Sequence, residues 1–283
     1  MKKTLSLILA FLILLTFLSS CTEKSIIKET EQSKHKASSS ADILKLESSE
    51  GLKFKLNENQ DGYILVGRGT CTENNVIINT YLGLPVTSIG FCAFSGSASL
   101  TSVTIADSVK SIDDFAFENC YSLKSIQLGN SLTQIGFESF RNCTSLTEIT
   151  LPNSVSSLGD GAFYNCEKLQ NIILSDSITK IGDNTFQNCD RLKSISLPHK
   201  ITHIGKNAFR DCDRLREIKL PSEIISIGSH AFYRCQNLSN AEFKSFSGWE
   251  ASAFNISSDA LSDKATAAQY LSATYYSYDW IKK

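Results

Sequence analysis

Apolar positions recur along this chain with a constant period of 23 residues and no insertion or deletion. One phenylalanine marks each unit: Phe94, Phe117, Phe140, Phe163, Phe186, Phe209 and Phe232. A unit this short cannot bury its apolar side alone, so each unit must stack on the previous one. The pattern therefore predicts a repeat solenoid of about seven units.

Within each unit, apolar and polar residues alternate over a short segment. In Leu146–Leu151, the apolar Ile149 and Leu151 alternate with the polar Glu148 and Thr150. A period of two is typical of a strand with one buried face. Equivalent segments are Leu123–Leu128, Leu169–Leu174, Leu192–Leu197 and Leu215–Leu220. Because every unit runs in the same direction, we expect a parallel β-sheet on one face of the solenoid.

Two further columns have local roles. Glycine follows the Ile/Leu column at Gly90, Gly136, Gly159, Gly182, Gly205 and Gly228, with Asp113 in that place once. A recurring glycine predicts a backbone position with positive φ, which aspartate also tolerates. A polar column precedes the cysteines at Asn119, Asn142, Asn165, Asn188 and Asp211. This column is either a ligand or metal ladder or, the interpretation we favour, a set of side chains that satisfy backbone groups in each turn.

Six of the nine cysteines share one column: Cys120, Cys143, Cys166, Cys189, Cys212 and Cys235. Stacked side chains lie about one strand spacing (~4.8 Å) apart, whereas disulfides need Cβ atoms about 3.5–4.5 Å apart. We therefore predict buried thiols beneath the phenylalanines. Cys71 and Cys92 lie outside this column, and a disulfide between them is a hypothesis.

The unit reads I-G-x-x-A-F-x-x-C-x-x-L-x-x-I-x-L-P, and this pattern resembles the BspA-like leucine-rich repeats of bacterial surface proteins. It departs from the commoner consensus L-x-x-L-x-L-x-x-N/C-x-L. The resemblance covers roughly Val86 to Phe243. It implies a leucine-rich-repeat-like fold of the α/β horseshoe class and an extracellular binding or adhesion role.

The flanks of the repeats are similar to the caps of that family. We assign an N-terminal cap to residues 50–85, the leucine-rich repeat solenoid to 86–243 and a C-terminal cap to 244–283. Aromatic residues crowd the end of the chain at Tyr270, Tyr275, Tyr276, Tyr278 and Trp280. We expect them to cover the last unit, whose open edge would otherwise invite strand addition; an exposed binding patch is the alternative. A short helix is predicted from about Asp263 to Leu271, with Ser262 or Asp263 as N-cap.

The N-terminus has the composition of an export signal. Met1-Lys2-Lys3 precedes an apolar run from Leu5 to Leu18, which is too short for a comfortable membrane span. Leu18-Ser19-Ser20-Cys21 resembles a bacterial lipobox, which implies a signal peptide over 1–20 and lipid attachment to Cys21. The alternative is an ordinary secretory signal in which Cys21 is incidental.

Residues 21–49 are polar and include a Ser38-Ser39-Ser40 run, which predicts a flexible tether after the lipidated cysteine. Two or more acyl chains on Cys21 would anchor the protein stably in a membrane. The expected location is therefore outside the cytoplasm, lipid-anchored to the bacterial cell envelope and exposed at the surface.

Charge and motifs limit the possible chemistry. The formal net charge is −1, and no basic patch suggests a nucleic-acid partner. The sequence has no G-x-S-x-G, H-E-x-x-H or Walker motif and no C-x-x-C pair. We therefore predict a protein that is not an enzyme and holds neither a metal nor a cofactor.

The outward positions of the predicted sheet are the natural binding surface of a solenoid. The candidate binding residues are Lys124, Glu148, Thr150, Gln170, Lys193, Arg216, Glu217 and Lys219. No aromatic platform for stacking a sugar occurs in these columns, which favours an extracellular protein over a glycan as the ligand. The sequence predicts a monomeric surface lipoprotein that binds extracellular macromolecules; the alternative is a structural spacer or a self-assembling envelope component.

Overall fold

The chain winds into stacked turns that carry two rows of parallel strands. The computed structural model describes residues 47–252 and 254–283. Each turn contributes one strand to each row, and the turns follow one another at 23-residue intervals from Ser102 onward. We call the rows sheet A and sheet B.

Sheet A contains the strands predicted from the alternation, and its members are β3 (Asn75–Ile78), β6 (Ser102–Ile105), β8 (Ser125–Gln127), β10 (Glu148–Thr150), β12 (Asn171–Ile173), β14 (Ser194–Ile195), β16 (Glu217–Leu220) and β18 (Asn240–Phe243). Neighbours pair in parallel and in register, with Ile149 opposite Ile172 and Ile218 opposite Ala241. The ladder is hydrogen-bonded in three groups, β3-β6-β8, β10-β12 and β14-β16-β18.

Sheet B was not predicted, and its members are β2 (Tyr63–Gly67), β5 (Leu84–Ile89), β7 (Ser111–Ile112), β9 (Gln134–Ile135), β11 (Ser157–Leu158), β13 (Lys180–Ile181), β15 (His203–Ile204) and β17 (Ser226–Ile227). From β7 onward each strand has two residues. Such a segment is too short to show alternation, which explains why the sequence pattern did not reveal it.

The predicted repeat solenoid with a parallel sheet on one face is confirmed. Two details differ. The eight strands of sheet A give about eight turns instead of seven, because β2 and β3 form a turn that precedes the phenylalanine column. Among the described residues, the first α-helix begins at Ser258, so the repeats contain strands and turns where the α/β horseshoe class has helices. Two strands and their turns occupy the whole 23-residue unit.

The core is a set of stacked columns, one side chain per turn. The seven phenylalanines of the repeat are at most 1% exposed, and adjacent rings lie 5.1–5.7 Å apart with interplanar angles of 1–16°. We call this column the phenylalanine spine. Each turn can bury its ring only between the rings of the adjacent turns, so the stacking that the period predicted is also the source of stability.

The glycine column is a position of close approach and not one of positive φ, so that prediction is wrong. None of its six members has a positive φ. At Gly136, an added Cβ would lie 2.6 Å from the carbonyl carbon of Asp113 and 2.6 Å from the nitrogen of Asp114. The backbones of successive turns come too close here for a side chain. Positive φ occurs instead in the polar column, where Asn119 has φ 60° and Asn142 has φ 59°.

The C-terminal segment closes the end of both sheets. It contains β19 (Trp249–Ala251), β20 (Phe254–Asn255), α1 (Ser258–Ser262), α2 (Lys264–Gln269), a π-helical turn (Tyr270–Thr274) and β21 (Trp280–Lys282). Strand β21 pairs antiparallel with β17, and α2 packs against β18. The side chain of Asp263 accepts a hydrogen bond from the nitrogen of Thr266, which confirms the predicted N-cap. The helix α1 was not predicted.

Most of the C-terminal aromatic side chains pack inward, as a cover of the last turn requires. Trp280 is 1% exposed, and its ring lies 6.1 Å from that of Phe243, the last residue of sheet A. Tyr276 stacks on Tyr233 at 4.3 Å. Only Tyr278 of the five is classed as exposed, at 37%.

At the other end, strand β1 (Lys53–Leu56) pairs antiparallel with β2, and β4 (Thr80–Tyr81) pairs with β5. Residues 47–49 lie along β3, where Ser49 donates its backbone N–H to the carbonyl of Ile77 at 2.9 Å. The outer strand β1 carries the exposed Lys53 and Lys55. Charged side chains on an edge strand discourage pairing with another chain.

Candidate binding face

The exposed side of sheet A is the surface that the sequence singled out. Buried and exposed residues alternate along its strands, as in β10, where Ile149 is buried between the exposed Glu148 and Thr150. The parallel register repeats this arrangement in every turn, so the exposed residues form straight columns. We call this surface the binding face.

The structure places all eight predicted residues on this face or at its margin. Seven are exposed: Lys124, Glu148, Thr150, Lys193, Arg216, Glu217 and Lys219; Gln170 is half-buried. Lys124, Gln170, Lys193 and Arg216 precede their strands and belong to one column, in which the nitrogen of Arg216 donates to the carbonyl of Lys193 at 3.1 Å. Their role in binding stays a prediction.

Two open grooves lie on the face, where the strands lead into the following turns. The first has a volume of about 370 Å³ and is lined by Gln127, Asn130, Glu148, Thr150, Asn171 and Ile173, among others. The second has a volume of about 660 Å³ and lies across β14, β16 and the start of the segment after β18. Its lining includes Ser196, Leu197, His199, Glu217, Lys219, Glu223 and Lys244. We call them the first and the second groove.

Sequence reasoning missed part of this lining. His199, Glu223 and Lys244 follow their strands in the chain, and nothing in the alternation of the strands brings them to the face. Ile173 is 62% exposed in the first groove, although a β-branched apolar residue is expected to be buried. The sequence pattern does place Ile173 in the outward column with Thr150, and the structure confirms that position.

The charges near the second groove are unevenly paired. The carboxylate of Glu242 accepts hydrogen bonds from Lys244 at 2.7 Å and Lys264 at 3.0 Å, and these bonds lower the pKa of Glu242 to about 2. By contrast, Lys193, Arg216 and Lys219 form no ion pair within the part of the chain that the structure describes.

The polar column forms a ladder of side chains that bond to one another. The Nδ2 of Asn142 donates to the Oδ1 of Asn119 at 2.7 Å, and Asn165 donates in the same way to Asn142 at 2.9 Å. Asn188 continues the ladder toward Asn165 at 3.4 Å. The expectation that these side chains satisfy backbone groups is therefore not what the structure shows. Their residue type is explained by positive φ together with the amide ladder.

The six cysteines of the column are buried free thiols, as predicted. Each Sγ donates to the carbonyl of a spine phenylalanine 26 residues earlier, at 3.0–3.3 Å. Burial raises the pKa of every one of them, to about 12 for Cys120. Cys71 is also a buried free thiol, so the hypothesis of a Cys71–Cys92 disulfide is wrong.

No cluster of metal-ligating side chains occurs in residues 47–252 and 254–283. No helix in the same part of the chain is long and apolar enough to cross a membrane. Cys21, the predicted lipidation site, lies outside the described residues, as do the predicted signal peptide and most of the tether.

The repeat geometry agrees with the comparison to protein families. The family described as BspA type leucine rich repeat region matches residues 70–192 and 135–261, in six copies. The chain belongs to the BspA type leucine-rich repeat family. None of the curated proteins matches it.

Solved structures share the fold. A leucine rich repeat protein of T. pallidum is 29% identical with a TM-score of 0.63, and the match covers 69% of this chain and 91% of that one. A leucine rich cell surface protein of Faecalibacterium prausnitzii A2-165 is 30% identical with a TM-score of 0.64, and the match covers 73% of this chain. The match spans only 56% of the Faecalibacterium chain.

Proposed function

We propose that this protein is displayed on the bacterial surface, where it binds extracellular macromolecules through the binding face. The observation that carries the proposal is the straight, exposed columns of sheet A, with two grooves among them. A rigid row of parallel strands holds polar side chains at fixed spacing, which suits recognition by shape and polar contacts. Membership of the BspA type leucine-rich repeat family and the similarity to a leucine rich cell surface protein of Faecalibacterium prausnitzii support the same role.

The test is a binding assay with the fragment Asp42–Lys283, which is a compact unit by itself. Its immobilised form is titrated against extracellular-matrix proteins, mucins and glycans. We expect saturable binding to at least one of them, weakened by Lys193→Glu combined with Arg216→Glu. The matched control is Lys180→Glu, an exposed charge reversal on sheet B.

The outcome separates this role from its alternative. Absence of binding across the panel, together with concentration-dependent chains in analytical ultracentrifugation, would favour a self-assembling envelope component. The C-terminal cover and the charged outer strand β1 support a monomer instead.

We also propose that Cys21 carries the membrane anchor, since Leu18-Ser19-Ser20-Cys21 resembles a lipobox. The full-length chain expressed in a bacterium should incorporate a labelled fatty acid and remain in the membrane fraction. Cys21→Ala should abolish the incorporation. Equal labelling of both forms would contradict the anchor without affecting the binding role.

A further inference from the structure

We infer that the second groove takes an acidic segment of a partner protein, which places an apolar side chain in the groove and carboxylates on the basic residues around it. This inference rests on the proposed function and names the chemistry of its ligand. The proposed function assigns binding to the whole face. This inference assigns one class of ligand to the second groove, because its lining differs from that of the first groove.

The second groove has an excess of positive charge around it. Its lining contains two acids, Glu217 and Glu223, and two lysines, Lys219 and Lys244. Lys193 and Arg216 flank it where β14 and β16 begin, so four basic side chains surround the groove against three acids, when the Glu242 paired with Lys244 is counted. The first groove has a single charged lining residue, Glu148, and a single basic residue, Lys124, flanks it where β8 begins, so its charges balance. A ligand with carboxylates is therefore complementary to the second groove only.

These basic residues are available for a ligand. Lys193, Arg216 and Lys219 are exposed and form no ion pair with another described residue. The nearby Glu242 is already held by Lys244 and Lys264, so it does not neutralise Lys219, which lies beside it in the register. A carboxylate of a partner protein could therefore form an ion pair with Lys193, Arg216 or Lys219.

The floor of the groove favours a peptide over a sugar. It includes the half-buried Leu197, whose side chain offers aliphatic surface between the polar walls. No Phe, Tyr or Trp side chain lines the groove, so a sugar would find none of the large aromatic faces on which sugars stack. An apolar peptide side chain buries its surface against this floor while carboxylates nearby reach Lys193 and Lys219.

The experiment uses fluorescence anisotropy with the fragment Asp42–Lys283 and three labelled probes. The first is an eight-residue peptide of alternating Glu and Leu, the second has Lys in place of every Glu, and the third is heparin. We expect saturable binding of the acidic peptide, weakened on the order of tenfold by Lys193→Glu combined with Lys219→Glu. Raising the salt concentration should also weaken it, since exposed charges are screened.

Lys110→Glu combined with Lys180→Glu is the matched control, because both lysines are exposed and lie at sheet B, away from the binding face. It should leave the affinity unchanged, and equal melting temperatures of all variants show that folding is intact. Equal loss with the control would place the site elsewhere and overturn the inference. Preferential binding of heparin or of the lysine peptide, or no binding of any probe, would overturn it as well.

The inference and the proposed function fail in different ways. If a matrix protein or mucin binds the face but the acidic peptide neither binds nor competes, the binding role stands and the ligand chemistry is wrong. If no macromolecule binds and the acidic peptide does not bind, both are wrong.

Discussion

At the residue scale, the glycine column illustrates what one sequence can and cannot resolve. A recurring glycine indicates that a side chain is not tolerated. Two different causes, a positive φ and the close approach of another backbone, both select glycine. Which of the two causes applies depends on how near the backbone of the neighbouring turn lies, and the residues around one glycine do not show this distance. Asp113 is the exception in this column: it carries a side chain at the glycine position without a positive φ, and burial raises the pKa of its carboxyl.

Gly136→Ala should lower the free energy of unfolding by about 1–3 kcal/mol, because the new Cβ meets backbone atoms of the previous turn that have no room to move. Gly67→Ala is the control, since its added Cβ has no neighbour within 4 Å. Urea unfolding of both variants measures the difference. Equal stabilities would contradict close approach as the reason for the column.

The thiol column should make stability depend on alkaline pH. The ordinary thiol pKa is 9.0, and burial raises it in the folded chain. Below pH 9 both states keep the proton and the stability is complete. Above pH 9 the unfolded chain releases protons that the folded chain retains, so the free energy of unfolding falls by about 1.4 kcal/mol per pH unit for each thiol.

Cys166→Ala should therefore make the free energy of unfolding fall less steeply between pH 9 and 11, because the variant lacks the contribution of one buried thiol. Urea unfolding under reducing conditions at several pH values gives the slope for both chains. Parallel pH profiles for the wild type and the variant would show that the thiol is not protected by burial.

At the element scale, the strands of sheet A were predictable because polar and apolar residues alternate over several positions. Sheet B was missed because a pair such as Gln134–Ile135 shows one buried residue and no alternation. Its pairing is dictated by the stacking of turns, which brings Ile112 beside Ile135. The asparagine ladder was misread for the same reason, since the partner of each amide lies 23 residues away.

The assignment of inner and outer faces can be tested by comparing one buried and one exposed position in two adjacent turns. Phe163→Ala removes a fully buried ring from the phenylalanine spine and should cost about 3–5 kcal/mol of stability. Thr150→Ala changes an exposed residue of sheet A and should change stability by less than about 0.5 kcal/mol. Thermal melting of the two variants provides the test, and similar losses would contradict the assignment of inner and outer faces.

At the scale of the whole molecule, the repeat needs closed ends. The aromatic residues of the C-terminus predicted that a cover exists. They did not predict that β21, α1 and α2 form it, because these elements lie outside the repeat and their sequences show no period. The cover pairs with β17 and packs on β18, so it protects both sheets at once. From the repeat, the exposed columns of sheet A could be predicted as the candidate binding surface. The lining of the second groove could not, because it includes residues of turns whose sequences differ from unit to unit.

Trp280→Ala should lower the free energy of unfolding by about 3–5 kcal/mol, because the indole is buried against Phe243 and Trp249. Tyr278→Ala is the matched control on the same segment, since its ring is exposed. Size-exclusion chromatography at rising concentration should show the Trp280→Ala variant associating and the control staying monomeric. A monomeric, fully stable Trp280→Ala chain would contradict the protective role of the cover.

The central claim is that recognition belongs to the exposed side of sheet A. The most direct test takes a macromolecule that binds the fragment Asp42–Lys283 and compares two exposed threonines. Thr150→Lys changes sheet A, and Thr133→Lys changes the residue directly before β9 of sheet B. We expect the first substitution to weaken binding and the second to leave it unchanged, with equal melting temperatures. Loss of binding only through Thr133→Lys, or through neither substitution, would contradict the account.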